Sequence, residues 1–233
     1  MSKGDSRLSI LAPAESEALL LSLRVAFVAV VAAMPLAVAA ALLLARTRFP
    51  GKVVVDGLIH LPLVLPPVAV GFLLLTIFGT RAGLGGWLFQ TFGIRFVFSW
   101  TGAALAAAII TFPFQVRAIR IALEGADRGL DAAAETLGAG WFDRLANITL
   151  PLAFPGIVAG VITAFAACLG EFGAIITFVS NIPGETRTLP LAIYTALQTP
   201  GGEAEAAKLS LLSILLALMF MVLAEFAQRR MRR

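Results

Sequence analysis

Five long apolar stretches divided by shorter polar ones organise this chain: 18–45, 54–79, 98–121, 153–179 and 207–228. A helix needs about 20 apolar residues to cross the hydrocarbon core of a bilayer, so each stretch predicts one crossing. Arg24 alone interrupts the first, near its start. The second carries Pro62, Pro66 and Pro67 and should kink near its start or begin with an irregular turn. Segment 83–93, with Trp87, is too short to cross and reads as a loop or a short interfacial helix. Residues 181–204 are rich in Pro, Gly, Thr and Glu and read as a long ordered loop. A sixth, re-entrant segment at 189–197 stays open, although it is too short to span.

The polar stretch between the third and fourth spans has a pattern of its own. Asp127, Asp131 and Glu135 recur every four residues, on one face of a helix over 127–137. Leu130, Ala133, Ala134 and Leu137 populate another face, and Gly138 and Gly140 end the helix. Trp141, Phe142, Leu145 and Ile148 follow as a second apolar stripe, and Leu150-Pro151 opens the next span. A helix lying in lipid headgroups would carry Lys and Arg on its polar face. This face is mostly acidic and anionic lipid would repel it, which favours a protein partner.

Composition agrees with the pattern. Of 233 residues, 59% are hydrophobic and only 14% charged, against about 45–50% and 25% in soluble domains. The chain is an all-α integral membrane protein with one spanning domain, 18–233. Its first 17 residues are polar and of mixed charge, with an apolar run after them too long for a signal peptide. They read as an external N-terminal segment, 1–17, ahead of a retained first span.

Basic residues set the orientation. Arg46, Arg48, Lys52, Arg117, Arg120, Arg128, Arg144, Arg229, Arg230, Arg232 and Arg233 fall on one side. Lys3, Arg7, Arg81, Arg95, Arg187 and Lys208 fall on the other. The richer side is cytoplasmic. Five spans then put the N-terminus outside and the C-terminus and the loop 123–151 inside. The net charge of +4 is accounted for by this anchoring, and no basic-aromatic platform for nucleic acid appears.

Candidate chemistry is sparse. No Gly-x-x-x-x-Gly-Lys-Ser/Thr sequence is present, so any ATP and Mg must be bound by a separate subunit. His60 is the only histidine, which excludes a multi-histidine metal site or a Ser-His-Asp triad within one chain, and it reads as an interfacial side chain near Asp56. Cys168, the only cysteine, reads as a small buried apolar residue. The chain is therefore not expected to be an enzyme or to hold a cofactor. Glu171 is the one carboxylate deep in an apolar span, where charge is costly. Hydrogen bonding to neighbouring backbone and contact with the transported species are both open to it. Thr177, Ser180 and Asn181, neutral donors at the outer end of the fourth span, suit a low-affinity path for an anion. Arg24 and Arg187 read either as an outer funnel or as solvated charges. Gly156, Gly160 and Ala164 share one face, which serves either a pore between two subunits or packing within one.

Ala132-Ala133-Ala134-Glu135-Thr136-Leu137-Gly138, nine residues, then Ile148-Thr149-Leu150-Pro151 resembles the "EAA" loop of binding-protein-dependent ABC importer permeases. The resemblance implies a type I importer fold and a cytoplasmic coupling helix that docks on an ATPase. Ala132, Ala133, Ala134, Glu135, Leu137, Gly138, Ile148, Leu150 and Pro151 would carry the coupling. The family pattern often opens with Glu, where this chain has alanines. A second stretch, Gly170-Glu171-Phe172-Gly173-Ala174 with Asn181-Ile182-Pro183-Gly184-Glu185-Thr186-Arg187-Thr188-Leu189-Pro190, resembles the molybdate permeases of that family. This resemblance implies an inner-membrane homodimer working with two ABC ATPase subunits and a periplasmic molybdate-binding protein. A sulfate or tungstate permease is the alternative. An ATP-independent secondary transporter would need interrupted helices in matching halves, and prolines cluster only in the second span.

Overall fold

A computed structural model describes residues 12–81 and 83–231. Most of the expected external segment, with Lys3 and Arg7, lies outside the described residues, as do Arg232 and Arg233 of the tail. Among the described residues, four helices are long and apolar enough to cross a membrane, and a bent pair makes up to five.

Helix α1 (Pro13–Arg46) starts on a proline, whose missing N–H costs nothing in a first turn. Glu15 accepts a hydrogen bond from the Ala12 N–H at 2.6 Å and closes that end. One face of α1 is a line of small residues, Ala26, Ala29, Ala33, Ala37 and Ala41, all buried. They pack against Ala103, Ala104, Ala106 and Ala107 and then Val116, Ile119 and Leu123 of the centrally placed α5. Small side chains let the two backbones approach closely, which replaces the missing hydrophobic driving force in lipid. Pro35 withholds one N–H from the ladder of α1. Nearby, the buried Gln115 donates to the Val30 carbonyl at 3.3 Å.

The second crossing departs from expectation. It is two helices, α2 (Lys52–Val64) and α3 (Pro67–Phe78), bent by 112°. The break falls at Leu65-Pro66, mid-segment instead of near its start, because Pro66 and Pro67 together remove two N–H donors and force the preceding residue out of the helical region. Segment 83–93 is the short helix α4 (Gly83–Phe92), with Trp87 edge-on to Phe92. Helix α5 (Trp100–Gly125) begins at Ser99, whose hydroxyl caps the Gly102 N–H at 3.2 Å.

Past α5 lie α6 (Arg128–Thr136), α7 (Trp141–Arg144), a π-helical turn over Leu145–Thr149, and α8 (Leu150–Leu169). The fourth crossing thus starts at Trp141 and ends at Leu169, not at 179. A break at Gly170–Phe172 separates it from α9 (Gly173–Val179). Helix α8 runs antiparallel to α5: Gly156 meets Ala118, Ile119 and Ala122, Gly160 meets Gln115, and Cys168 meets Thr111. A Cβ on Gly156 would lie 2.7 Å from the Ala118 carbonyl oxygen. The small-residue face therefore serves packing within one subunit.

Helix α9 packs on α3. A Cβ on Gly71 would lie 2.6 Å from the Ala174 carbonyl oxygen, and one on Gly173 would lie 2.9 Å from the Pro67 Cβ. The two helix breaks therefore face each other, a pairing that proline spacing alone did not reveal. The expected loop 181–204 contains a helix, α10 (Leu189–Gln198), pinned where the Leu189 N–H donates to the Ser22 hydroxyl of α1. Helix α11 (Glu203–Met231) is tied to the start of α1 by a Lys208–Glu15 ion pair at 2.6 Å. Its remaining length exposes Leu211, Leu215, Met219 and Phe226, an apolar surface suited to lipid.

Candidate functional site

Helix α6 is short but closed at both ends. Asp127 accepts from the Gly129 N–H at 2.8 Å, the usual work of an N-cap carboxylate. Gly138 adopts φ +88°. Its N–H bonds the Glu135 carbonyl, and the Ala139 N–H bonds the Ala134 carbonyl. That pair of bonds is the Schellman termination, which needs a left-handed residue after the helix. The chain then turns into α7.

The acidic residues point inward. Glu135 meets Arg144 Nη1 at 2.5 Å. Asp131 lies 3.8 Å from Arg46 Nη1 and 3.9 Å from Arg144 Nε. The acidic face is thus engaged with the chain's own arginines, at the end of α1 and in α7, and its sign says little about what covers the loop. The other face is the informative one. Leu137 is 88% exposed, Phe142 80%, Trp141 60% and Leu130 51%, and Trp141 packs edge-on against Phe142. Free-standing large apolar side chains on a polar loop mark a contact surface. Trp141 and Phe142, the second stripe of the sequence, are exposed as Leu130 and Leu137 are.

The other coupling candidates divide. Ala132, Ala133 and Gly138 are exposed on the loop, and Ala134 is half-buried. Ile148 is half-buried in the π-helical turn, and Leu150 and Pro151 form the first turn of the membrane helix α8. Asp56 of α2 pairs with Arg120 of α5 at 2.8 Å, and Arg120 also holds Glu124 at 2.7 Å. The Asp56–Arg120 pair joins α2 to α5, and residue spacing did not disclose it. His60 lies 3.1 Å from Asp56 Oδ1, as expected.

At the α8–α9 break, Glu171 is 8% exposed and its Oε1 accepts from the Ala174 N–H at 2.9 Å. It caps α9, so backbone hydrogen bonding is the role the geometry gives it. Thr177 donates to the Gly173 carbonyl at 2.8 Å within α9. Ser180 ends α9 at φ +67° and ψ −165° and is exposed, a conformation costly for any residue with a Cβ. The buried Thr186 holds it there. Its hydroxyl donates to the Ser180 carbonyl and accepts from the Ile182 N–H. Asn181 bridges to α10: its amide donates to the Thr195 hydroxyl at 2.8 Å and its oxygen accepts from Arg187 Nε at 2.9 Å. Arg24 lies over the Trp100 ring, 3.7 Å from its centroid. Thr177, Ser180 and Asn181 are therefore close along the chain but differently engaged, and Ser180 is the exposed one.

Comparison with known proteins bears on this geometry. The family model described as binding-protein-dependent transport system inner membrane component matches residues 23–233. The chain is 56% identical to the molybdenum transport system permease protein ModB of Escherichia coli (strain K12), over 94% of this chain and 96% of that protein. To ModB of Haemophilus influenzae it is 51% identical, again over 94% and 96%. Its fold is similar to that of a bacterial ABC transporter involved in the import of the acidic polysaccharide alginate, with a TM-score of 0.75 at 19% identity, covering 96% of this chain and 82% of that one.

Proposed function

The chain belongs to the family of inner membrane components of binding-protein-dependent transport systems, and from that premise we propose that it is the permease of an ATP-driven molybdate importer. The observation that carries the substrate is the 56% identity with the E. coli molybdenum permease over nearly the whole of both chains. The permease binds no nucleotide itself. Two copies form the path across the inner membrane, and two ATPase subunits, holding ATP and Mg, supply the energy. A periplasmic binding protein delivers the oxyanion to the outer face. The N-terminus lies outside and the C-terminus inside.

The loop 123–151 is the coupling region, and its exposed Leu130, Leu137, Trp141 and Phe142 are the surface that the ATPase covers. The ion pairs of Asp131 and Glu135 with Arg46 and Arg144 tie α6 to the end of α1 and to α7. Motion of the docked helix is thereby passed to the spans instead of being lost in a slack loop. Nucleotide and the loaded binding protein then each bias the same two-state equilibrium by binding its states differently. Ser180, Asn181 and Thr177 line the outer part of the path, where neutral donors release an oxyanion that an arginine cluster would retain. Glu171 stands behind them as the cap that fixes the start of α9.

Uptake by the complex of permease, ATPase and binding protein in vesicles tests the assignment. Molybdate should accumulate with ATP and not without it, and excess sulfate should compete poorly. Preferential uptake of sulfate would reassign the cargo, and uptake without ATP would reinstate a secondary transporter.

A further inference from the structure

Beside the coupling loop, α1, α6, α7 and the π-helical turn line an open trough of about 750 Å³. Its floor is apolar and runs along α1 through Pro35, Val38, Leu42 and Leu43. Arg46, Arg144 and Trp141 stand at its mouth, with Asp131, Glu135, Thr47 and Thr149 also on its walls. The floor and mouth differ in chemistry as the tail and headgroup of a lipid do. From Pro35 to Arg46, a helix rises about 16 Å, close to one leaflet's share of a hydrocarbon core about 30 Å thick.

The arginines at the mouth are incompletely partnered. Side chains of Arg46 and Arg144 are only 20% and 15% exposed. Among the described residues, Nε and Nη2 of Arg46 and Nε of Arg144 are buried without a hydrogen-bond partner. Asp131 stands between the two guanidinium groups at 3.8 and 3.9 Å, beyond hydrogen-bonding range of either. Glu135 engages Nη1 of Arg144. Buried guanidinium donors without acceptors are costly, and the oxygens of a phosphate match their fork in pairs.

We propose that this trough is a binding site for one anionic phospholipid of the cytoplasmic leaflet. Its phosphodiester sits between Arg46 and Arg144, and an acyl chain lies along the Pro35–Leu43 face of α1. The proposal rests on the orientation given above, which puts this end of α1 in the cytoplasm. A lipid held here touches both α1 and the base of the coupling helix, so its occupancy would stiffen the joint between them.

Native mass spectrometry of the delipidated permease–ATPase complex, titrated with dioleoyl phosphatidylglycerol or phosphatidylcholine, tests the site. The expected result is one phosphatidylglycerol per permease chain, preferred by about fivefold or more, because choline cancels the phosphate charge in phosphatidylcholine and attraction of one Arg to a net anionic lipid is worth about 1 kcal/mol. Arg46→Gln should abolish the preference and Arg46→Lys should keep part of it. Arg48→Gln, at an exposed arginine two residues on, should leave it intact. Equal binding of the two lipids, or equal loss in R46Q and R48Q, overturns the proposal. So does displacement of the lipid by inorganic phosphate at equal concentration, which would make the ligand a free anion. Binding by the permease alone that vanishes when the ATPase is added would give the trough to an acidic segment of that subunit. A disulfide between two copies of L43C would give it to a subunit contact. ATP-driven molybdate uptake by the unaltered complex in phosphatidylcholine vesicles, which lack the anionic lipid, reads the transport assignment separately from lipid binding.

Discussion

Glu171 shows how one buried carboxylate acquires a purpose from its backbone setting. A charge in an apolar span needs a partner, and the nearest answer is the Ala174 N–H at the first turn of α9, 2.9 Å away. That helix starts afresh after the break at Gly170–Phe172, so its leading N–H groups have no preceding turn to satisfy them. Glu171→Ala should destabilise the permease by about 1 kcal/mol, the typical worth of a helix cap. Glu171→Gln keeps an acceptor oxygen and should recover most of that loss. Thermal unfolding of the detergent-purified complex measures both. If the two variants are equally destabilised, charge rather than capping is what matters at this position. An unchanged E171A would remove the capping role altogether.

At the scale of elements, the coupling loop separates what holds α6 in place from what it offers to a partner. Asp131 and Glu135 face Arg46 and Arg144, whereas Leu137 and Phe142 face outward. Leu137→Asp and Phe142→Asp should each weaken binding of the ATPase by about 30-fold, corresponding to about 2 kcal/mol for a buried anchor. Asp131→Asn should change that affinity by about twofold at most. Pull-down of the ATPase at graded concentrations distinguishes them, and the reverse order of effects would return the contact to the acidic face. The loop's position and its helical period were legible, because polarity and spacing are local properties. The direction of its faces was not, since it depends on arginines at the end of α1 and in α7. Broken helices divide in the same way. Pro66-Pro67 announced a break, although not its place within the segment. Gly170–Phe172 lies inside a run whose hydropathy resumes at Ala174 and Ile175, and Gly170, Glu171 and Gly173 were the local signs of a boundary that the apolar length outweighed. Helix α10 coincides with the segment 189–197 that stayed open beside the loop reading; Pro190 in its first turn and Thr199 after it resemble loop composition, and its anchor, Ser22, lies far away in the chain.

For the molecule as a whole, the arrangement of ends makes topology testable. The starts of α1 and α11 are joined by Glu15 and Lys208, and α8 runs against α5 through Gly156 and Gly160. The far end of α1 meets the coupling loop through Arg46 and Asp131. All chain segments that carry the coupling residues therefore gather at one end, opposite Ser180, Asn181 and Arg187. In the proposed orientation the arginine-rich coupling end is cytoplasmic, and the bent α2–α3 pair counts as one crossing. Cys168 is the only cysteine and is buried, so new cysteines give a clean readout. In intact cells a membrane-impermeant maleimide should label Glu185→Cys, on the loop before α10, and leave Asn147→Cys unlabelled. In inverted vesicles the labelling should exchange. Glu185 and Asn147 are both exposed, so failure to label reports the side of the membrane and not burial. Labelling of both positions from one side would mean that α8 and α9, the helices between them, make no net crossing. The end that holds the coupling helix would then also have to be the end that receives the substrate, and the importer assignment would fail on geometry alone.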